Sequence, residues 1–264
     1  MTAFVQPLWG FSIDHPAGWV HRSLPDADAF AQTEAALSPG YAGPLAGHII
    51  VHAEWNSRDR AVEPIWREHV ARVAAMLGAK QVRSAPWRIG PADGLEAEIA
   101  LPKKDANRLW LGVLAHDRII LKLLVAHPLA CRAEFEPQAT DVLRSLRFLE
   151  SVADLPQHLC GLPLPPDCTP LPTAEVLEDL GSQGSWEVFG TPHSMGAVQA
   201  FFWREARAAG WEITSFQPYP GDHPLSFARV GLHKAGRLIA LGILPHRQGA
   251  DEGEPIARLA LHWR

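Results

Sequence analysis

The sequence predicts an α+β protein of two tandem small domains, each an antiparallel sheet covered by one or two helices. Short runs in which apolar and polar residues alternate are bounded by turn-forming residues, which is typical of antiparallel strands. Other runs repeat apolar residues at steps of three and four, which indicates helices. Residues 160–172 hold five prolines in thirteen residues. They interrupt both patterns, because proline fixes φ and lacks a backbone donor.

This proline-rich stretch divides the chain near its middle. The 264 residues are enough for two domains of about 100–150 residues each. We therefore predict a first domain at residues 1–152, a proline-rich linker at 153–172 and a second domain at 173–264.

The strands of the first domain are predicted at residues 8–13, 19–24, 47–55, 81–89, 94–101, 109–115 and 118–126. The last two are separated by a tight turn at 116–117, which favours a hairpin. Residues 25–47 are rich in Ala, Pro and Gly, so we expect a long loop there, with a short helix near 29–37.

Two helices are predicted to cover this sheet. Apolar residues from Trp66 to Leu77 recur at steps of four, three and four, and Gly78 suits the left-handed position that ends a helix. A second apolar stripe at residues 139–146 follows Pro137, which marks a helix start.

The second domain is predicted to contain a short helix at 174–180 and strands at 186–189, 211–216, 225–230, 237–244 and 256–263. Between the first two strands, Met195, Val198 and Phe202 form a helical stripe. Ser194 is placed to cap this helix through its hydroxyl group, and Gly210 ends it.

Composition argues against several functional classes. The chain has 24 Lys and Arg against 29 Asp and Glu, a net charge of −5, so it lacks the positive excess that a nucleic-acid backbone requires. No run reaches the roughly 20 apolar residues of a membrane span. The first residues lack the pattern of a signal peptide, so we expect a cytoplasmic protein, an expectation that a removed leader would change. Three cysteines do not make a disulfide framework.

Motifs of known catalytic chemistry are missing from the sequence. It contains no G-x-S-x-G nucleophile turn, no phosphate-binding P-loop and no H-E-x-x-H zinc motif. We therefore expect neither an enzymatic activity nor a cofactor.

Two segments of the first half resemble a known family. Residues 11–19, Phe-Ser-Ile-Asp-His-Pro-Ala-Gly-Trp, are similar to the opening of PsbP-like domains, and residues 139–148 are similar to their closing helix with its Ser-Leu-x-Phe ending. The resemblance covers about residues 8–150. The second half resembles a bacterial α+β module of unknown function, through Phe-Phe-Trp-Arg at 201–204 and Gly-Trp at 210–211. Both resemblances imply non-catalytic domains that bind other proteins or act as lipoprotein domains.

A metal site is the first alternative that the histidines suggest. His52 and Glu54 share one face of a predicted strand, with Cβ atoms about 6.6 Å apart, and His48 lies about 13 Å from His52. A transition metal needs three or four converging ligands, so we favour polar residues that face solvent or lie between sheet and helix, and we predict no metal. These three residues are the candidates if a metal is bound.

A second and weaker metal candidate lies at the linker. His158 and Cys160 are two residues apart, with Cys168 further on. Zinc sites usually repeat close pairs of ligands, so we favour incidental thiols.

Tryptophans are the predicted contact residues for a protein partner. Phe201, Phe202 and Trp203 stand in succession on one helix, so one of them must point away from its own sheet. We select Trp203, together with Trp19 and Trp55, as partner contacts.

The leading functional hypothesis is a non-catalytic protein-binding or adaptor module. The first alternative is a metal-dependent or small-molecule-binding enzyme with its site in a groove between the domains, built from His48, His52 and Glu54. The second is a ligand-binding domain with an apolar pocket between sheet and helix.

Overall fold

The structure, a computed structural model, describes residues 1–37, 46–100, 108–176, 186–223, 225–245 and 256–263. It divides into two compact units. Unit 1 comprises Met1–Gln6 and Phe11–Phe148, and unit 2 comprises Pro7–Gly10 and Leu149–Arg264. Both units combine antiparallel sheets with helices, which confirms the α+β class.

In the part of unit 1 that the structure describes, there are two sheets and two α-helices. Its strands are β1 (Thr2–Gln6), β2 (Phe11–His15), β3 (Val20–Leu24), β4 (Ala27–Ala31), β5 (His48–Trp55), β6 (Lys80–Ile89), β7 (Ala92–Ala100), β8 (Arg108–His116), β9 (Ile119–His127) and β10 (Arg147–Phe148). Its helices are α1 (Val62–Leu77) and α2 (Arg132–Ser145). The large sheet has the order β3-β4-β5-β9-β8-β7-β6, and the small sheet has the order β1-β2-β10.

Helix α1 covers one face of the large sheet. It packs against β6, β7 and β8, and its buried residues Trp66 and Val70 join a core cluster with Leu111 and Val113 of β8. The helix ends at Gly78, which has a φ of +61°, as the sequence predicts. Because strand side chains alternate between faces, the residues of β8 that lie between the core positions belong to the opposite face.

The opposite face is covered by α2 and by the small sheet. Phe11 of β2 and Phe30 of β4 are fully buried, and the Phe4 ring lies 5.4 Å from the Phe30 ring. Helix α2 packs against β2 and β9. Pro137 lies inside α2, so the helix begins one turn earlier than the sequence prediction.

The predicted loop at 25–47 contains a strand that the sequence analysis did not foresee. Residues 27–31 form β4, which lies between β3 and β5. All five residues are buried. Their sequence, Ala-Asp-Ala-Phe-Ala, therefore lacks the alternation of apolar and polar residues by which a half-exposed strand is recognised. Asp26, with a φ of +53°, makes the turn from β3. A short 3-10 helix follows at Glu34–Leu37, and residues 38–45 lie outside the described residues.

The described residues of unit 2 form one sheet and one α-helix. Its strands are β11 (Thr169–Leu171), β12 (Glu187–Thr191), β13 (Glu212–Gln217), β14 (Ala228–Lys234), β15 (Arg237–Pro245) and β16 (Ala257–Trp263), in the order β11-β12-β16-β15-β14-β13. Helix α3 (Met195–Ala208) packs against β13 and β15. Ser194 caps it by accepting a hydrogen bond from the Ala197 N–H at 3.2 Å. The predicted helix at 174–180 begins as a 3-10 turn, Thr173–Val176, and its remainder lies outside the described residues.

The proline-rich stretch predicted as a linker groups with unit 2. Its last residues form β11, an edge strand that includes Pro170. An edge position tolerates proline, because one side of an edge strand has no neighbouring strand that needs a backbone N–H donor.

A buried ion pair holds the short segment 7–10 within unit 2. The Arg204 guanidinium donates to the Leu8 carbonyl at 3.2 Å and pairs with Glu205 at 2.8 Å. Glu205 also accepts a hydrogen bond from the Val152 N–H at 3.0 Å. Both side chains of the pair are less than a tenth exposed.

Candidate functional site

A cavity of about 710 Å³ lies in the described part of unit 1. Its floor is the face of β6–β9 that lies opposite α1, and its wall is formed by residues of α2. We name it the sheet–helix cavity. Its volume falls in the range of about 300–1,000 Å³ that is typical of ligand sites.

Two tryptophans form the aromatic part of the cavity floor. Trp87 of β6 and Trp110 of β8 have ring centroids 5.1 Å apart and planes at 88°. Both rings lie over Gly112, where a Cβ atom would be 2.6 Å from each of them. A larger residue at position 112 would therefore displace the rings. The two perpendicular rings form a corner, and both tryptophans line the cavity.

Two carboxylates lie on the same face of β7. Glu96 and Glu98 alternate with Ala97 and Ile99, which are buried in the α1 core cluster. Glu96 accepts a hydrogen bond from the indole N–H of Trp110 at 3.1 Å, and Glu98 pairs with Arg108 at 3.1 Å. Both glutamates line the cavity.

The α2 wall contributes mainly charged groups that are already paired. Glu136 accepts from Arg132 at 3.0 Å and lies 3.2 Å from the buried imidazole of His127. Thr140 and Arg144 line the cavity one and two turns further along the helix. The wall therefore presents charges of both signs above an aromatic floor.

The predicted metal candidates lie on the α1 face of β5. The burial of β5 alternates as expected, with Val51 and Ala53 buried and His52 and Glu54 exposed. Lys122 of β9 is directly opposite His52 and forms an ion pair with Glu54.

The Lys122 ammonium repels other cations, so it disfavours a metal ion between His52 and Glu54. Partial desolvation and Lys122 hold the pKa of His52 below its ordinary value, and partial burial does the same for His48. Within the described residues, no group of three or more His, Cys, Asp or Glu side chains is arranged to hold a metal ion.

The linker histidine and one linker cysteine come together in unit 2. The Nδ1 atom of His158 lies 2.8 Å from the Sγ atom of Cys160, and its Nε2 atom lies 2.8 Å from Glu187. Trp263 donates its indole N–H to the same carboxylate at 2.8 Å. Cys168 does not join them, and desolvation raises its pKa to about 12. We name His158, Cys160, Glu187 and Trp263 the His158 cluster.

The three predicted contact tryptophans lie in different surroundings. Trp19 is 8% exposed and stacks on Phe135 with ring centroids 5.3 Å apart. Trp55 is also 8% exposed and belongs to the buried face of β5. Trp203 is half-buried, with Phe216 beside its ring and the Arg207 guanidinium 4.4 Å from its centroid. A contact with a partner through any of these residues remains a prediction.

Sequence reasoning missed Trp87 and Trp110 because they meet only in the folded sheet. Both are on strands that were predicted, and Trp110 has the parity opposite to the core residues of β8. A sequence signal was available in principle, since two tryptophans and Glu96 occur on three consecutive predicted strands. To bring these three residues together from the sequence, one must know which residues of β6, β7 and β8 pair with each other. The turns between the strands determine that register.

Comparisons with known proteins gave structural likenesses only. No family model matches the chain, and no curated protein matches it. The cyanobacterial PsbP (CyanoP) of Synechocystis sp. PCC 6803 is similar over 55% of this chain and 91% of its own, with 8% identity and a TM-score of 0.43. LpqN of Mycobacterium tuberculosis, a protein involved in cell envelope biogenesis, is similar over 53% and 83%, with 8% identity and a TM-score of 0.41.

A protein of Bacteroides thetaiotaomicron VPI-5482 is similar over 94% of this chain and 87% of its own, with 11% identity and a TM-score of 0.39. With TM-scores below 0.5, these likenesses do not support any inference about what this chain does. The described helices include none with the length and apolar character needed to cross a membrane.

Proposed function

We propose that the protein is a non-catalytic binding module, and that the sheet–helix cavity of unit 1 receives a short amphipathic segment of a protein partner. The observation that supports this most directly is the cavity itself, about 710 Å³ with an aromatic floor and a charged wall. Ligand sites combine an apolar surface with a few polar groups in this way. A cytoplasmic location remains a prediction.

The edge of the sheet indicates how a partner segment would bind: by inserting its side chains into the cavity, and not by pairing with the edge as an additional strand. Strand β6 is the edge beside the cavity, and it carries Pro86 together with Arg83 and Arg88. Proline and charged residues on an edge oppose pairing with another chain. A partner segment would therefore bind across the floor, between β6–β8 and α2, with its charged residues facing the α2 wall.

The enzymatic alternative has one arrangement in its favour, the His158 cluster. Cys160, His158 and Glu187 have the order of a nucleophile, a base and an orienting acid. Cys160 is only 3% exposed, and desolvation raises the pKa of its thiol. Because reactive cysteines have depressed pKa values and access to substrate, a structural role for this cluster is the better supported one.

A cavity-blocking variant tests the binding proposal. Random peptides displayed on phage would be selected on the full chain, and the selected peptides would be measured by fluorescence anisotropy. Thr140→Trp places a large ring over the floor from an exposed position that lines the cavity. Asp141→Trp is the matched control, because Asp141 is the next residue of α2, is exposed and does not line the cavity.

We expect selected peptides that bind the native chain and Asp141→Trp equally, and Thr140→Trp at least about tenfold more weakly. Equal binding to all three proteins would place the peptide outside the cavity and contradict the proposal. Failure to enrich any sequence would also count against it.

A further inference from the structure

The corner formed by Trp87 and Trp110 has the features of a cation-binding site. Two indole rings stand at 88° with centroids 5.1 Å apart, and both line the sheet–helix cavity. The faces of aromatic rings carry negative electrostatic potential, and tryptophan attracts cations most strongly. A group entering this corner would contact two such faces at once.

Glu96 adds a negative charge to the same corner. It is half-buried, and Trp110 is the only hydrogen-bonding partner that the described residues supply to its carboxylate. An apolar ligand on the floor would remove water from this charge without replacing it, which is unfavourable. A cationic ligand would instead compensate the charge.

Three of the four arginines that line the cavity are already paired with carboxylates. Arg88 pairs with Asp93 at 2.6 Å, Arg108 with Glu98 at 3.1 Å and Arg132 with Glu136 at 3.0 Å. These carboxylates neutralise three of the four guanidinium groups, and the fourth, that of Arg144, belongs to the α2 wall.

The shape of the corner distinguishes between classes of cation. A guanidinium is planar and stacks on one ring face, whereas perpendicular faces enclose a compact group. An ammonium is a compact charge that can also donate hydrogen bonds to a carboxylate. The geometry therefore favours an alkylammonium, such as a lysine side chain.

We propose that the corner of Trp87, Trp110 and Glu96 binds an alkylammonium group, and that a lysine side chain is the anchor of the partner segment. The second clause rests on the proposed function, whereas the first concerns the corner alone. Binding requires no conformational change in the floor, because Gly112 already lets both rings lie against the sheet.

Titration of the full chain with n-butylammonium chloride tests the corner directly. The probe is the free equivalent of a lysine side chain. The indole ¹H–¹⁵N NMR signals of Trp87 and Trp110, assigned with Trp87→Phe and Trp110→Phe, report on binding. The controls are n-pentanol, a neutral molecule of similar length, and sodium chloride at equal ionic strength.

We expect both indole signals to shift in a saturating manner with n-butylammonium, but with neither control. Glu96→Gln keeps the shape of the side chain and should weaken the binding about tenfold. Glu63→Gln, an exposed glutamate of α1, should leave it unchanged. Gly112→Ala should also weaken binding, because the new Cβ displaces both rings.

Three results would overturn the inference: absence of saturable shifts, equal shifts with n-pentanol, or unchanged affinity in Glu96→Gln. The peptide selection separates this outcome from failure of the proposed function. Selected peptides without lysine that Thr140→Trp nevertheless blocks would support the cavity and contradict the ammonium anchor. Saturable ammonium binding without any cavity-blocked peptide would support the corner and contradict the partner segment.

Discussion

Each unit contains a glutamate that accepts a hydrogen bond from a tryptophan, and the two glutamates differ in what else they contact. In unit 2, Glu187 accepts from Trp263 at 2.8 Å and also lies 2.8 Å from His158. In unit 1, Glu96 accepts from Trp110 at 3.1 Å, and no other described residue bonds to it. Two polar side chains therefore engage Glu187, whereas the carboxylate of Glu96 retains acceptor capacity.

Two histidines show the same contrast. Both ring nitrogens of His158 have partners within unit 2. In unit 1, the buried Nε2 atom of His69 has no hydrogen-bonding partner among the described residues. Saturated polar groups stabilise one arrangement of a fold, whereas unsaturated ones are available to a ligand or a proton. The comparison favours a structural role for the His158 cluster and leaves Glu96 with acceptor capacity for a ligand.

The largest expected effect is in the buried ion pair of unit 2. Arg204→Leu leaves the Glu205 carboxylate buried and deprives the Leu8 carbonyl of its donor. We expect the free energy of unfolding of unit 2 to fall by about 3–5 kcal/mol, measured by urea unfolding with hydrogen exchange followed in unit 2 peptides. Arg207→Leu, on the exposed side of the same helix, should cost less than about 1 kcal/mol. Equal effects would show that the buried pair is not structural.

The next effect concerns the pH dependence of unit 1. Desolvation, with Lys122 and Arg72 nearby, lowers the pKa of His69 from 6.5 to about 4. The unfolded chain therefore binds a proton that the folded chain does not, so stability is complete above pH 6.5 and decreases as the pH falls towards 4.

The full shift corresponds to about 3 kcal/mol, and partial exposure of the ring reduces this to about 2 kcal/mol. His69→Gln should remove that part of the pH dependence. Unfolding midpoints in urea at pH 7 and pH 4, compared between the native chain and the variant, provide the measurement. Parallel losses in both proteins would contradict the assignment.

The sequence was a good guide wherever the structure depends on neighbours along the chain. The alternation in β5 predicted which face is buried, because side chains of a strand point to opposite faces in turn. The stripe from Trp66 to Leu77 predicted α1 and its end at Gly78. The fold class followed from such local periodicities.

The features that the sequence did not predict depend on contacts between distant segments. Strand β4 has no periodicity of its own, because strands on both sides and the layers above and below bury all its residues. The corner of Trp87 and Trp110 forms across β7, which separates their strands in the sheet. Periodicity tells which residues share a face of one strand, but not which residue of another strand lies beside them.

A smaller effect tests whether the His158 cluster is structural. Hydrogen bonds from His158 and Trp263 hold the pKa of Glu187 below its ordinary value. Its stabilising contribution is therefore present above about pH 4.3, the ordinary glutamate pKa, and is lost as the pH falls through the lower value in the folded protein.

Because the carboxylate is 44% exposed, we expect Glu187→Gln to lower the stability of unit 2 by only about 1 kcal/mol at pH 7. Urea unfolding of the native chain and the variant should converge below pH 3 or so. A difference that persists unchanged at low pH would contradict an electrostatic role for Glu187.

The smallest expected effect is the same substitution in the other unit. Glu96→Gln preserves an acceptor for the Trp110 indole and removes a charge that no described cation pairs with. We therefore expect the free energy of unfolding to change by no more than about 0.5 kcal/mol, measured in the same urea series. A loss as large as that of Glu187→Gln would mean that Glu96 stabilises the fold. A negligible change, combined with the loss of n-butylammonium binding, would show that unit 1 retains this charge for a ligand.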